Sequence, residues 1–256
     1  MRFVRYLSGD KKPRLGWVLE EQVGEIEGSP FSEFRRLGAD QPLGAVRLLS
    51  PVLPGKIIGV GRNYVAHAKE QGAEVPEVPI LFLKPPSAVI GPNEAIRLPP
   101  QSQQVEHEAE LAVVIGKEGR WIRPEESLDY VLGYTIANDV TARDLQRRDG
   151  QWTRGKGFDT FCPLGPWIET EFDPSDALIT CHVRDELRQM ASTRDMVFNI
   201  RQIIAYTSSI MTLEPGDVLL TGSPSGVGPL QAGDTVRITI EGLGSLDNPV
   251  IREKSW

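Results

Sequence analysis

The sequence predicts a strand-rich α+β fold, and three observations predict it. Glycine (25) and proline (20) punctuate the 256 residues so often that regular segments between them are short. Those segments are apolar and rich in β-branched residues, as in KIIGVG, ILFLK, DVLLTG and TVRITIEG. Only residues 194–212 carry helical apolar spacing over a long stretch.

The elements follow in order. Residues 2–7, 14–20 and 22–27 are short strands joined by turns, forming a small N-terminal β unit. The stretch PVLPG ends it, dividing the chain into residues 1–53 and a main domain, 54–256. Residues 56–64 are an apolar strand ending in a glycine-bounded turn, and 65–72 a short helix closed by Gly72. Residues 80–84 are a strand stopped by Pro85 and Pro86. Residues 105–115 read as one long strand closed by Gly116, and 130–140 as another that leads into the helical pattern TARDLQRRD. Strands follow at 179–184, at 217–222 with a buried pattern, and at 235–242 with half-exposed alternation, the long helix lying between the first two. The turns PGD and AGD launch the last two strands.

Composition excludes several function classes. Lysine and arginine number 28 against 35 acidic residues, a net charge of -7, which argues against a nucleic-acid footprint or docking on anionic lipid. The two cysteines, Cys162 and Cys181, form no CxxC pair, no disulfide framework and no thiolate zinc site. The opening residues lack an apolar secretion stretch, and no apolar run approaches the ~20 residues of a membrane span. A reduced, cytoplasmic setting is the expectation.

The most informative segment is EHEAEL. Strand alternation puts Glu106, Glu108 and Glu110 on one face, which continues into Ala112 and Val114. Crowded carboxylates beside apolar neighbours need a partner or water. One reading is an exposed edge strand. The other is a hard divalent cation with oxygen ligands. Asp139, embedded in the apolar strand YTIAND, supplies a third carboxylate, unless it only caps the next helix. Together the two segments favour a metal site of Glu108, Glu110 and Asp139. Mg2+ or Mn2+ suits three carboxylates with open positions, with Ca2+ as a substitute in crystals. Zinc fits less well, because no His or Cys cluster accompanies them.

Five motifs then occur in order: GVGRNYxxHxxE at 59–70, HExEL at 107–111, NDxTARDxQ at 138–146, KGFDTFCPLGPW at 156–167 and GDVLLTGSPSGVG at 216–228. The set, within roughly residues 54–250, resembles the fumarylacetoacetate hydrolase family, in its acylpyruvase and 2-hydroxyhepta-2,4-diene-1,7-dioate isomerase-like branch. The resemblance implies a mixed β-roll core, a divalent metal and a homodimer. It places metal carboxylates on Glu108, Glu110 and Asp139, a catalytic pair on His67 and Glu70, and the metal-proximal lysine on Lys156. Gln146 and Thr221 become substrate contacts, and the GRNY and TGSP turns add Arg62, Tyr64 and Gly222.

These residues allow a specific chemistry. The metal chelates the carboxylate and oxo oxygens of a 2-oxo acid, and an enolate formed beside it is stabilised by the metal and Lys156. His67 and Glu70, spaced i, i+3, share a helix face, so Glu70 can orient an imidazole that activates water. The leading expectation is hydrolysis of a C–C bond in an acylpyruvate-type diketo acid. Oxaloacetate-type decarboxylation and diene-dioate isomerisation need the same enolate and stay open. So does a non-catalytic metal-binding scaffold. The bland alternatives are a surface His67, a solvated Glu70, a mobile Lys156 and plain turn chemistry at Thr221. Arg143 and Asp144 read as a structural ion pair, and His107 as a core or interface residue. Arg147 and Arg148 are either a solvated helix end or a site for a distal carboxylate. Residues 65–80 are expected to form a lid over substrate.

Overall fold

The structure, a computed structural model, describes residues 1–254. One sheet of twelve strands organises it. Arg2–Leu7, Pro13–Leu19, Gln22–Gly28 and Phe34–Pro42 form an antiparallel meander. Phe34–Pro42 escapes a sequence reading because its side chains are mostly exposed and FRRLGADQP has no apolar alternation. Arg2–Leu7 also pairs with Cys162–Glu169, so the N-terminal strands continue the main sheet. From Cys162–Glu169 the order runs through Val131–Asn138, Ala109–Ile115, Val218–Leu220, Ile57–Gly61 and Ile80–Lys84. Every pairing in that run is antiparallel except Val218–Leu220 with Ile57–Gly61.

A second sheet of five strands is built from Glu186–Ser192, Leu178–Val183, Thr235–Ile240, Gly244–Arg252 and Ile96–Leu98. Leu111, Val113 and Ile136 of the large sheet share one apolar cluster with Ile179, Cys181, Ile238 and Leu246 of the second. Ala112, Val114 and Ala137, one residue out of step, join Phe3, Ile57, Leu164 and Val218 on the opposite face. The large sheet is thus buried on both faces along its central strands, and each buried Leu, Ile or Val there contributes roughly 2 kcal/mol of transfer free energy. The half-exposed alternation expected near the end of the chain appears in Thr235–Ile240.

Four short α-helices decorate this scaffold: α1 (Val65–Glu70), α2 (Arg143–Asp149), α3 (Thr153–Lys156) and α4 (Ile200–Ile210). The helix expected over 194–212 is shorter. Asn199 accepts a hydrogen bond from the Gln202 amide while the Gln202 side chain answers the Asn199 amide, a capping box that starts the helix at Ile200. Thr193–Asp195 form a separate 3-10 turn.

The long strand expected over 105–115 is also corrected. Val105–His107 and Ala109–Ile115 are separate strands in different sheets, and Glu108 lies between them. The Glu108 amide donates to Asn138 Oδ1, and the Asp139 amide donates to the Glu108 carbonyl, both at 2.9 Å. These bonds replace a ladder and let the chain change sheets. The simple alternation of Glu106, Glu108 and Glu110 along one strand face therefore fails.

Candidate active site

The strand break and the neighbouring strand end bring three carboxylates together. Glu108, Glu110 and Asp139 are buried, and one oxygen from each lies within 4.8 Å of the others. Asp139 follows Val131–Asn138 directly, and pairing of that strand with Ala109–Ile115 sets it beside Glu110. Glu106 does not join them. It accepts from Arg143 Nε at 2.7 Å.

Three cations surround the cluster. Lys156, the last residue of α3, donates to Glu108 Oε2 at 2.6 Å and also to Asp139 Oδ2. Lys84 Nζ donates to Asp139 Oδ1 at 2.6 Å and to the Val140 carbonyl at 3.3 Å. Arg143, the first residue of α2, donates to Glu108 as well as Glu106 and reaches Gln146 Oε1 at 2.7 Å. The ion pair expected between Arg143 and Asp144 is absent. Asp144 accepts instead from Ser102 Oγ at 2.6 Å and the Gln103 amide at 3.0 Å, because Arg143 points inward to the buried glutamates.

Glu110 differs from its neighbours. Among the described residues it has no cationic partner and accepts only from the Gly222 amide, at 2.7 Å. Gly222 turns that amide inward at φ +98°, where a Cβ would lie 2.6 Å from the Asn63 Cβ. Burial, then the charges of Asp139 and Glu108, push the Glu110 carboxyl well above its ordinary range. Burial acts on Glu108 in the same direction, but Lys156 and Arg143 together outweigh it and hold that carboxyl low. Burial would lower the Lys156 ammonium, and Asp139 and Glu108 more than offset it. The donor set is three carboxylates, one without a counter-ion, which fits a hard divalent cation.

His67 and Glu70 stand on α1. His67 Nδ1 lies 3.3 Å from Glu70 Oε2, and Glu70 also accepts from the Gly226 amide at 3.0 Å. A carboxylate at Nδ1 favours the tautomer that leaves the lone pair on Nε2. His67 lines a cavity of about 290 Å³ together with Glu108, Glu110, Asp139 and Lys156.

The other expected site residues divide. Arg62 and Gln146 line the cavity, as does Arg147, while Arg148 does not. Thr221, Gly222 and Tyr64 stay behind its wall. Thr221 Oγ1 donates to the Leu111 carbonyl at 2.9 Å, and the Gly222 amide is taken by Glu110, so Ser223 is the residue of that turn that reaches the cavity. Tyr64 is buried, and burial raises its hydroxyl above the ordinary range. Glu70 meets the cavity only through His67.

Two residues were missed. Lys84 reads in sequence as the end of an apolar strand, and nothing there shows that its ammonium turns inward. Gln189 lies in a largely exposed strand yet is itself fully buried. Its Oε1 accepts from the Ala109 amide at 3.1 Å and from His107 Nδ1 at 2.9 Å. Its Nε2 donates to Ser223 Oγ and the Pro224 carbonyl, both at 2.8 Å. It thereby ties Ala109, between Glu108 and Glu110, to the turn at the cavity wall. His107 is a core residue, and burial lowers its pKa.

The family described as fumarylacetoacetate (FAA) hydrolase C-terminal matches residues 56–251, and one described as Rv2993c-like, N-terminal matches residues 1–51. The chain is 42% identical to oxaloacetate tautomerase fahd2, mitochondrial, of Xenopus laevis, over 98% of this chain and 90% of that one. The solved 5-carboxymethyl-2-hydroxymuconate delta-isomerase of Mycobacterium smegmatis superposes with a TM-score of 0.91 at 47% identity, covering 99% of this chain and 100% of that one. The maleylpyruvate hydrolase of Sphingobium sp. SYK-6, solved with manganese(II) and pyruvate, gives a TM-score of 0.82 at 34% identity, again over 99% and 100%.

Proposed function

The chain belongs to the fumarylacetoacetate hydrolase family, and from that premise we propose that it interconverts the keto and enol forms of a small 2-oxo acid, using Mg2+ or Mn2+ held by Glu108, Glu110 and Asp139. One observation carries this reading: the carboxylate cluster, Lys156 and His67 all open onto one cavity. When bound, the cation supplies a Lewis acid for a chelating 2-oxo carboxylate. Lys156, kept charged by Glu108 and Asp139, puts a fixed positive charge beside the oxygen that becomes anionic. His67 Nε2 takes a proton from the carbon next to the oxo group and delivers it to the oxygen that has become anionic, and the reverse reaction runs the same transfer backwards. Glu70 at Nδ1 holds the imidazole ring in one orientation.

Hydrolysis of an acylpyruvate, the leading expectation from sequence, becomes the second reading. The His67–Glu70 pair supports it, since the same base can activate water, and a maleylpyruvate hydrolase is among the structural neighbours. Tautomerisation moves ahead of hydrolysis because the tautomerase is more similar than the hydrolase, at 42% against 34% identity, and the delta-isomerase, at 47%, is likewise named for an isomerisation. The homodimer, the cytoplasmic setting and the division at residues 53 and 54 belong to the same proposal.

The test follows the decay of freshly dissolved enol-oxaloacetate with Mg2+, with Mn2+ and with EDTA, while pyruvate release is assayed in parallel and from acetylpyruvate. Metal-dependent decay without pyruvate supports the tautomerase, and His67→Ala should slow it about a hundredfold or more. Decay no faster than in buffer with metal alone sinks it. Pyruvate from acetylpyruvate selects the second reading.

A further inference from the structure

One turn, residues 221–226, serves both halves of the site. Its Gly222 amide donates to Glu110 at 2.7 Å, and its Gly226 amide donates to Glu70 at 3.0 Å. Glu110 belongs to the carboxylate cluster, and Glu70 orients His67. With glycines at φ +98° and +97°, the turn has little stiffness of its own. Two buried amide side chains hold it from outside. Asn63 Nδ2 donates to the Thr221 carbonyl at 2.7 Å, the same peptide group whose N–H meets Glu110. Gln189 Nε2 holds the far end, through Ser223 Oγ and the Pro224 carbonyl.

Gln189 is out of character with its strand. Its neighbours Arg188 and Met190 are exposed, whereas Gln189 is fully buried. A glutamine amide can donate twice and accept twice, and here all four bonds are made within the protein. Two of them reach the turn, and one reaches the Ala109 amide between Glu108 and Glu110. The turn also lies hard against this strand, since a Cβ on Gly226 would come 1.9 Å from the Arg188 carbonyl oxygen. Gln189 itself does not line the cavity.

We infer that Gln189 is a positioning residue for the proton transfer: through residues 223–226 it fixes Glu70, and through Glu70 the His67 ring, against the strand that carries the acidic cluster. This rests on the keto–enol reading above. Base and carboxylates then share one frame. Loss of the Gln189 grip misplaces His67 while leaving Gly222 on Glu110, because Asn63 holds that peptide independently.

The experiment compares wild type, Gln189→Met, Glu70→Ala and the double variant in enol-oxaloacetate decay with Mn2+, with calorimetry of Mn2+ binding and amide hydrogen exchange by NMR alongside. Gln189→Met should lose about tenfold or more in kcat, with KM and Mn2+ affinity changed by less than about threefold. In the Glu70→Ala background the same substitution should cost less than about twofold, because its route to His67 is already cut. The Gly226 amide should exchange at least about tenfold faster and the Gly222 amide at its wild-type rate. Gln189→Glu is nearly isosteric, keeps the acceptor for Ala109 and, when ionised, offers the turn no donor. It should repeat the cycle and the exchange pattern, and it carries the test if the methionine variant does not fold. An unchanged kcat, an equal loss with and without Glu70, or a loss of Mn2+ affinity matching the loss of kcat overturns the assignment. If the wild-type protein does not accelerate the decay, the keto–enol reading falls and hydrogen exchange decides alone. Faster exchange at Gly226 with Gly222 still protected then sustains the link from Gln189 to Glu70, and unchanged protection at Gly226 overturns it.

Discussion

Lys156 and Arg143 at the floor of the cavity, and Lys84 behind it, each grip a buried carboxylate, whereas the less buried Arg62 and Arg147 at its rim grip none. The difference follows from solvent. A charge at the floor has lost its water and is tolerable only beside an opposite charge. A charge at the rim keeps water and remains free for a ligand. Glu110 is the exception that gives the floor its chemistry, being as buried as Glu108 and Asp139 yet lacking a cation.

The largest effect should come from removing that exception. Glu110→Ala is expected to lower Mn2+-dependent turnover about a thousandfold, since several kcal/mol of charge stabilisation depend on the cation. The metal-free protein should melt no lower than wild type, because the substitution relieves repulsion from Asp139 and Glu108. Calorimetric titration with Mn2+ and a thermal scan check both halves, and a clear drop in melting temperature without metal would contradict the account of Glu110.

Next comes the contrast between floor and rim. Lys84→Met strands Asp139 Oδ1 at a fully buried position and should cost about 3 kcal/mol in urea unfolding. Arg147→Gln at the rim should change the same measurement by less than about 0.5 kcal/mol. Similar values for the two would erase the distinction.

The smallest effect concerns the outer side of α2. Bonds from the Gln103 amide and Ser102 hydroxyl hold the Asp144 carboxyl below its usual range, burial acting in the opposite sense. A depressed folded pKa adds stability above the unfolded value of about 3.9, and that stability is lost as pH falls through the folded value. Asp144→Asn should therefore cost about 1 kcal/mol at neutral pH, after allowance for its exposure, and the gap to wild type should close in acid. Denaturation at a series of pH values reads it directly, and a gap that widened in acid would reverse the assigned sign.

Much of this arrangement was legible beforehand where the signal was local. The buried strand Val218–Leu220, the short helix α1 and the alternation in Thr235–Ile240 all follow from periodicity and punctuation. The three-carboxylate cluster was legible because a cluster of acids in apolar strands has few physical explanations. The break at Glu108 was not, because its cause is a side chain thirty residues away, Asn138, which takes over a ladder hydrogen bond. Lys84 and Gln189 were illegible for the same reason. Each acts on a partner 55 to 82 residues distant, and the sequence around each reads as an ordinary strand.

The fold class, the resemblance to a family and the acidic residues that cluster were readable from the chain alone, since periodicity, punctuation and local charge crowding are properties of neighbouring residues. Tertiary structure alone decided which charges are neutralised and which are left over. It withdrew Thr221 and Gly222 from the cavity wall, spent Arg143 on Glu106 and Glu108, and left Glu110 at the floor and Arg62 and Arg147 at the rim without partners. Pairing of that kind depends on distances across strands and on exclusion of water, and neither exists until the sheets have closed around the site.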